Sequence, residues 1–408
     1  MNCRHCNTPI QLQLIDLGSA PPSNAYLTNI TLRQPEKWFP LKVVVCENCW
    51  LVQAEAYSRA SELFNEEYAY FSSFSSHWLA HAEAYVNNMA ERLKLGTDSL
   101  VVEIASNDGY LLQYVKERGI QCLGIEPTAS TAAASRIKGI ETIEEFFGVE
   151  LATRLAGEGR LADLIAANNV LAHVPDINDF TRGFSVLLKP HGIATFEFPH
   201  LLNLIEQGQF DTIYHEHFSY LSLNAVDTIF AANGLAVFDV EEHPTHGGSL
   251  RVFAQRADSG NQPRTERLRD LIRKELNAGM RGKAFYEGFQ AKAEKVKDDF
   301  LAFLIEARRA GKNVAGYGAA AKGNTLLNFA GVRPDLLPFI VDRNPAKQGK
   351  FMPGSRIPIV DESRFDTEKP DYVVILPWNL KDEIAEQNKR IRDWGGTFVT
   401  AVPQLSIA

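Results

Sequence analysis

Four consecutive side chains that can move protons, Tyr214-His215-Glu216-His217, are the most informative stretch of this chain. Histidine titrates near neutrality, and a neighbouring carboxylate fixes its tautomer and raises its basicity. The four sit inside Phe210-Asp211-Thr212-Ile213-Tyr214-His215-Glu216-His217-Phe218-Ser219-Tyr220, whose aromatics can exclude water and tune those groups. Such a set suits proton transfer at a bound substrate. A polar loop with two hydrogen-bonded histidines is the plainer reading. What weighs against it is a turn, well upstream, with the features of a cofactor site.

That turn is Val101-Val102-Glu103-Ile104-Ala105-Ser106-Asn107-Asp108-Gly109-Tyr110-Leu111-Leu112, a strand, a tight turn and a helix start. Glu103 falls late in the strand, where the carboxyl edge of a parallel sheet opens to ligands. Asn107, Asp108 and Gly109 let the backbone approach closely and leave amides free at a helix N-terminus. At the end of the next strand, Glu126 of Gly124-Ile125-Glu126-Pro127 is placed to grip two ribose hydroxyls, with Pro127 beside it. A later strand ends in Asn168-Asn169, followed by His173. The pattern lacks the Gly-x-Gly-x-x-Gly that cradles a dinucleotide pyrophosphate. An acid-rich turn better suits a cationic or neutral adenosine ligand, and S-adenosylmethionine is the obvious one.

Two pairs, Cys3-Arg4-His5-Cys6 and Cys46-Glu47-Asn48-Cys49, account for four of the five cysteines. Paired knuckles present four thiolates to one Zn²⁺, and a closed four-sulfur site holds a fold without doing chemistry. Cys122 reads as a buried strand residue. The net charge of −8 argues against a general nucleic-acid binder and means that an anionic substrate needs a local cluster of Lys and Arg. No signal-peptide pattern opens the sequence and no apolar run spans a bilayer, so a cytoplasmic location without a membrane partner is expected.

The elements that must position these residues read as α/β. At 408 residues the chain suggests several domains. A zinc module is expected over 1–57 and an α/β domain carrying the adenosine-binding turn over 75–255. A C-terminal Rossmann-like domain would take 58–74 and 256–408. In the middle, Leu100–Ile104, Cys122–Ile125, Leu164–Ala167 and Gly192–Phe198 read as strands. They alternate with helices His77–Leu93, Leu111–Arg118, Asp179–Leu188 and Val226–Asn233, which implies a parallel sheet covered on both faces. A long helical stretch, Arg264–Arg309, leads to a second open sheet with strands Asn313–Tyr317, Pro338–Val341, Tyr372–Leu376 and Thr397–Val402, and helices Thr325–Ala330 and Lys381–Trp394.

The ordered set resembles the sugar C-methyltransferases of deoxysugar and antibiotic-sugar pathways. It comprises both cysteine knuckles, Glu103 to Gly109, Glu126-Pro127, Asn168-Asn169, Tyr214-His215-Glu216-His217, His246-Gly247-Gly248-Ser249-Leu250-Arg251 and Gly316-Tyr317-Gly318-Ala319-Ala320-Ala321-Lys322-Gly323-Asn324. The resemblance implies a class I methyltransferase domain between the zinc-binding and Rossmann-like domains. It also implies methylation at C-3 of a nucleoside-diphosphate 4-keto-deoxysugar by a monomer or homodimer. Deprotonation beside a ketone gives an enolate, which needs a base and a donor at the ketone oxygen. The resemblance assigns the base to His217, with Tyr214, Glu216 and His173 around it and Tyr68 and Tyr70 closing the pocket.

Ala105 departs from the glycine more usual in such a turn, at little cost if its φ is negative. His215 is as much structural as catalytic or substrate-binding, because an extended run would point it away from its neighbours. His246 either lines the substrate pocket or caps a turn. Lys322, with Asn324 and Arg343, is a candidate for the substrate's nucleotide, and the same loop could instead hold a dinucleotide with Asp342 on its ribose or serve α/β packing. Two other readings stay open. One is a zinc-containing NAD-dependent nucleotide-sugar oxidoreductase; the other is a non-catalytic zinc-ribbon scaffold.

Overall fold

The computed structural model describes residues 1–57 and 71–408. Three sheets organise them. The first runs β1 (Leu12–Ala20), β2 (Phe39–Val45), β3 (Val52–Ala54) and then β9 (Ser219–Tyr220), antiparallel throughout. Its last strand comes from the centre of the chain, with Val52 opposite Tyr220, so the N-terminal sheet is completed by the segment that follows His217. Val43, Val45 and Val52 pack in one core with Phe300 and Leu304 of the helix Phe289–Arg309, and with Leu326 and Ile340. Cys3, Cys46 and Leu51 pack instead into the core of the central sheet. The zinc module is therefore wedged against both other parts.

The central sheet has seven strands. They are β4 (Leu100–Ile104), β5 (Gln121–Ile125), β6 (Thr142–Ile143), β7 (Ala162–Asn168), β8 (Leu188–Pro199), β10 (Leu235–His243) and β11 (Ser249–Arg256), in the order β10-β11-β8-β7-β4-β5-β6. The parallel sheet expected from the sequence is correct from β6 to β8, but β11 is antiparallel to both its neighbours. The cause is local: β10 and β11 form a hairpin, which needs no crossover helix. Gly247 and Gly248 turn it with φ of 90° and 111°. Buried on both faces, β7 from Leu164 to Ala167 and β8 from Ile193 onward are mostly apolar, as central strands must be, with Thr195 and Glu197 the polar exceptions in β8. Cys122 lies on β5 as expected but is partly exposed. Glu103, Glu126 and Asn168 end up at the carboxyl edge of β4, β5 and β7, and Glu197 pairs beside Asn168 on β8.

The third sheet contains β12 (Val314–Tyr317), β13 (Ile340–Val341), β14 (Ile359–Val360), β15 (Tyr372–Ile375), β16 (Thr397–Thr400) and β17 (Ser406–Ile407), ordered β14-β13-β12-β15-β16-β17. It is parallel except for β17. The chain reverses its direction of winding at β12 and β15, the position where open α/β sheets take ligands. The helix expected over Arg264–Arg309 is broken into Glu266–Asn277, Lys283–Tyr286 and Phe289–Arg309. Gly279 and Gly288, at φ of 87° and 81°, sit in the breaks. Among the described residues no helix is long and apolar enough to cross a membrane.

One buried carboxylate ties the central layers together. Glu275, fully buried on the helix Glu266–Asn277, accepts from His200 Nε2 (2.8 Å), the Leu223 and Asn224 amides (2.6 and 2.8 Å) and Asn224 Nδ2 (2.6 Å). It thereby caps the helix Leu223–Ala232 from outside. Glu275→Ala leaves those donors unpaired and is expected to cost about 3–5 kcal/mol, the usual loss for one member of a buried pair. Denaturant unfolding followed by far-UV circular dichroism measures it; a change within about 0.5 kcal/mol, typical of surface sites, would remove the staple role.

Candidate active site and metal centre

The Tyr214–His217 stretch is a turn, not a strand. The His217 amide donates to the Tyr214 carbonyl (2.9 Å), which closes a four-residue turn. First and last residues of such a turn lie side by side, so the Tyr214 and His217 rings stand 4.0 Å apart between centroids. The two corner residues diverge. His215 Nε2 lies 3.2 Å from the Phe39 carbonyl and 3.3 Å from that of Pro40, with its ring edge-on to Phe39. Glu216 Oε1 accepts from the Asn24 amide (3.3 Å) and side chain (3.1 Å). The structure thus brings Tyr214 and His217 together and sends His215 and Glu216 towards the N-terminal module.

His173 reaches the pair from the loop leaving β7. Its ring is 4.6 Å from that of His217, and the Phe218 amide donates to the Ala172 carbonyl (2.8 Å). Both imidazoles meet backbone carbonyls through Nδ1: His217 with Thr212 (2.9 Å) and His173 with Glu216 (2.8 Å). A carbonyl only accepts, so each Nδ1 carries the proton, and Nε2 of His217 keeps a basic lone pair. Burial pushes His173 down to about 4 and His217 well below the ordinary histidine value, and a proton on His173 would push His217 lower still. Two neutral imidazoles are the result.

Two segments close round this core. His246 sits on the β10–β11 turn with φ 56°, a left-handed backbone unusual outside glycine, and burial pushes it down to about 4. From the third sheet, Lys322 Nζ donates to Asn379 Oδ1 (2.6 Å) and lies 4.7 Å above the Trp378 ring. Trp378 Nε1 donates to buried Asp211 (2.8 Å), next to the Thr212 carbonyl that orients His217. Burial raises Asp211 to about 6 and lowers Lys322. The charge of Lys322 also acts on His217 and His246.

The loop before Lys322 owes its glycines to packing. A Cβ at Gly316 would meet Ile340 at 2.8 Å, and one at Gly318 (φ 87°) would meet Pro377 at 2.5 Å. Asp342 is occupied by its own chain, accepting from the amides of Ala319 (2.7 Å) and Asn344 (2.8 Å). Asn324 is buried, its Oδ1 accepting from Asn328 Nδ2 (3.1 Å). Exposed Arg343 pairs with Gln387 (2.8 Å) and Glu362 (3.4 Å), none of them in the Lys322 cluster. Tyr68 and Tyr70 lie outside the described residues.

At the carboxyl edge of the central sheet the acidic turn adopts a strained shape. Ala105, Asn107 and Gly109 have φ of 55°, 50° and 74°, so the negative φ that would have made Ala105 inexpensive is not what the fold uses. A left-handed alanine costs about 1–2 kcal/mol, and the turn is held against that cost. Glu126 Oε2 accepts from the Asn107 amide (2.9 Å) and its Oε1 from the Thr128 amide (2.8 Å). Asn107 Oδ1 accepts from the Ser72 amide (2.9 Å), and Lys138 meets Asp108 at 3.4 Å. Pro127 follows in the same bend. Asp108 Oδ1 and the Asn169 amide oxygen are buried acceptors without a donor, and the buried Glu103 carboxylate and Asn168 amide meet only Tyr110. A set of unfilled acceptors fits the hydroxyls and ammonium of an adenosyl amino acid and repels a pyrophosphate.

The four cysteines meet as their spacing implied. Their sulfurs lie within 4.8 Å of one another, with Cys3–Cys49 and Cys6–Cys46 both at 3.5 Å. Tetrahedral Zn–S bonds of about 2.3 Å put sulfurs about 3.8 Å apart, so the donor set fits zinc. The knuckles are built alike. Asn7 and Trp50, each just after the second cysteine, have φ 59°, and their amides donate to Cys3 and Cys46 carbonyls (2.9 and 2.8 Å). Arg4, between the first pair, donates to the carbonyls of Ala54 (2.7 Å) and Pro175 (3.2 Å) and lies 5.3 Å over Phe218. The metal centre shares no ligand with the histidine cluster, yet it braces the loops on both sides of it.

Sequence reasoning missed Trp378, and also buried Glu197 with its partner His81 (Nε2 at 2.8 Å), which stacks on Trp78. A signal for Glu197 existed: a carboxylate inside the apolar strand Ala194-Thr195-Phe196-Glu197-Phe198 has to be partnered. Trp378 left no pattern of its own.

A sheet with an acidic cofactor edge, a buried histidine pair and a four-cysteine metal site defines an S-adenosylmethionine-dependent methyltransferase with a zinc-binding module. Family profiles agree: a zinc binding domain matches residues 3–64, a methyltransferase domain 77–240 and a C-methyltransferase C-terminal domain 244–403. The chain is 35% identical over 402 residues to the C-methyltransferase NovU of Streptomyces niveus, spanning 98% of this chain and 95% of that one. It belongs to that C-methyltransferase family. Among solved structures, an S-adenosylmethionine-dependent methyltransferase from Mesorhizobium loti is similar at 16% identity and a TM-score of 0.35, over 44% of this chain and 100% of that one. The CcbJ methyltransferase of Streptomyces caelestis is similar at 14% identity and a TM-score of 0.34, over 43% and 89%.

The cofactor turn yields a direct prediction. Glu126→Ala is expected to weaken S-adenosylmethionine binding by about 1.5–3 kcal/mol through lost charge-assisted bonds, because Glu126 both faces the ligand edge and holds the Asn107 amide. Titration calorimetry reads it, and an affinity equal to wild type moves the ribose contact elsewhere.

Proposed function

We propose that this C-methyltransferase acts on a nucleoside-diphosphate 4-keto-deoxysugar, methylating C-3 through an enolate. The observation that carries the reading is the neutral His217, with its Nδ1 committed to the Thr212 carbonyl and its ring packed against Tyr214 and His173. A ring carbon must lose a proton before it can attack, and a neutral buried imidazole with an open Nε2 is suited to take it. Tyr214 is then the donor that supports the ketone oxygen as charge develops there, and neutral His173, its Nδ1 proton on the Glu216 carbonyl, packs behind His217. His173 closes the short turn Leu171–His173 that follows β7 and Asn168-Asn169, which joins the proton-transfer site to the cofactor edge. S-adenosylmethionine, when bound, supplies an electrophilic methyl group. Glu103, Asp108, Glu126, Asn168 and Asn169 are the residues that would hold it, with Ala105, Asn107, Gly109 and Pro127 shaping the turn.

Glu216 acts on this site from behind, through Asn24 and its backbone carbonyl on His173, and His215 anchors the turn to the N-terminal sheet. His246 and Lys322 face the substrate, Lys322 giving the local positive charge an acidic protein needs for a diphosphate; Asn324 supports its helix. Arg343 would contribute only from the outer rim. Domain limits near 1–57 and 75–255, with 256–408 in the C-terminal domain, belong to this reading, although β9 from within the second range completes the N-terminal sheet.

Incubation with methyl-labelled S-adenosylmethionine and a panel of 4-keto nucleotide sugars tests the whole reading by mass spectrometry. One added methyl at C-3 supports it; NADH turnover instead returns the oxidoreductase. Lys322→Ala is expected to raise KM for the nucleotide sugar more than it lowers kcat, since diphosphate contacts change little in the transition state. Steady-state kinetics checks this. An unchanged KM with a collapsed kcat would mean that Lys322, so close to His217 and Asp211, serves the reaction centre.

A further inference from the structure

Glu197 is fully buried at the carboxyl end of β8, where an unpaired carboxylate costs several kcal/mol. Its donors come from three separate elements. His81 Nε2, on the helix Ser76–Leu93, lies 2.8 Å away; Arg251 Nη2 on β11 lies 2.6 Å away; and Thr245 Oγ1 donates from the hairpin turn at 3.0 Å. Although burial opposes ionisation, His81 and Arg251 hold the carboxyl down to about 2. A single anion therefore links a helix, a strand and a turn.

Two of these links lead to the same residue. Thr245 directly precedes His246, whose left-handed backbone at φ 56° stores about 1 kcal/mol or more and persists only if its surroundings hold it. His81 stacks on Trp78 with centroids 5.0 Å apart, and Trp78 meets His246 edge-on at 5.4 Å. Glu197, Thr245, His246, Trp78 and His81 thus form a closed ring of contacts. Trp78 also stacks on Tyr110 of the cofactor turn (5.9 Å), and the Asn169 amide donates to the Glu197 carbonyl (2.7 Å). The far side of the turn is fixed by Gln209 Nε2, which donates to the Gly247 carbonyl (2.9 Å). Of the ring's members, His246 is the one whose charge acts on His217.

We propose that Glu197 is a positioning residue that aims His246 into the substrate pocket through Thr245 on one side and His81–Trp78 on the other. The role of His246 in this statement rests on the proposed function; the geometry of Glu197 does not. A carboxylate can accept from all three donors at once, whereas a Gln amide offers one oxygen and sets an NH₂ against Arg251 or His81. Glu197→Gln therefore keeps the volume but lets the turn drift, and misplacement of this kind costs on the order of 10–100-fold in rate.

The test is a double-mutant cycle with a second, substrate-independent measurement. Glu197→Gln and His246→Ala are each expected to lower kcat on the accepted 4-keto nucleotide sugar, and the double variant to be no slower than His246→Ala alone. Calorimetric affinity for S-adenosylmethionine should stay near wild type, while the unfolding midpoint of Glu197→Gln is expected to fall, because buried Arg251 loses its carboxylate. Independent, multiplying losses would overturn the proposal, as would wild-type activity in either single variant. If Glu197→Gln does not fold, Thr245→Val cuts one arm alone and enters the same cycle with the same two outcomes. Imidazole ¹⁵N resonances of the histidine-labelled protein give the independent readout. The His246 signals should move in Glu197→Gln or Thr245→Val while those of His217 hold, and unmoved His246 signals overturn the proposal. Failure to methylate any sugar would refute the proposed function but leave that readout decisive for Glu197.

Discussion

The His217→Asn variant is expected to lose about 10²–10⁴ in methylation rate, the usual contribution of a positioned general base, while binding both ligands. Asparagine keeps a donor for the Thr212 carbonyl, so the turn and the Tyr214 contact are preserved and only the basic nitrogen goes. Exchange of solvent deuterium into the 4-keto sugar reports proton abstraction without methyl transfer. If exchange and methylation fall together while S-adenosylmethionine still binds, His217 is the base. Wild-type exchange in the variant would transfer the role to His173 or Tyr214.

The pH dependence follows from the same burial. Protonation of His217 removes the base, and its folded value lies well below an ordinary histidine's, so the acid limb of kcat/KM should fall below about pH 6.5. Stability falls in the same acid range. His173 and His246 sit near 4 when folded but titrate near 6.5 unfolded, so the unfolded chain binds more protons in between. Their contribution is fully present above about 6.5 and is lost as the pH falls towards 4. Asp211, raised to about 6, works in the other direction over its own range. Rates at low pH therefore need unfolding checked in the same buffers.

Loss of the zinc is the second large effect. A closed thiolate site contributes its binding energy to folding, on the order of 10 kcal/mol or more in small domains, and Cys46→Ser removes one of four ligands. We expect one zinc per chain in the wild-type protein and, in the variant, little metal and a collapsed N-terminal sheet by hydrogen exchange. Methylation should fall with it. Arg4, beside the first ligand, supports Pro175 and Phe218, and β3 pairs with the strand that follows His217. Metal analysis well below one zinc per chain in wild type, or a Cys46→Ser protein with unchanged zinc and stability, would refute the assignment.

What the sequence determined by itself were the features carried by local pattern. Two Cys-x-x-Cys pairs need no tertiary information, because each knuckle shapes its own turn through the amide of the residue after it. Strand–turn–helix alternation likewise announced the central and C-terminal sheets, since burial on both faces requires continuous apolar strands. The direction of β11 was decided by a hairpin whose pairing is not visible in composition, and the breaks around Gly279 and Gly288 by glycines whose φ the sequence does not state.

The reaction centre was legible as a set of residues but not as an arrangement. Four adjacent residues suggested one cluster, yet a turn sent His215 to Phe39 and Glu216 to Asn24, leaving Tyr214 and His217 with His173. Neutral histidines arise from burial, which depends on what the rest of the chain packs over them. Lys322 beside Trp378 and Asp211, and Glu197 beneath His246, join residues far apart in the sequence. Their pairing is fixed by the packing of three sheets, and only the folded chain brings such partners within reach of one another's charge.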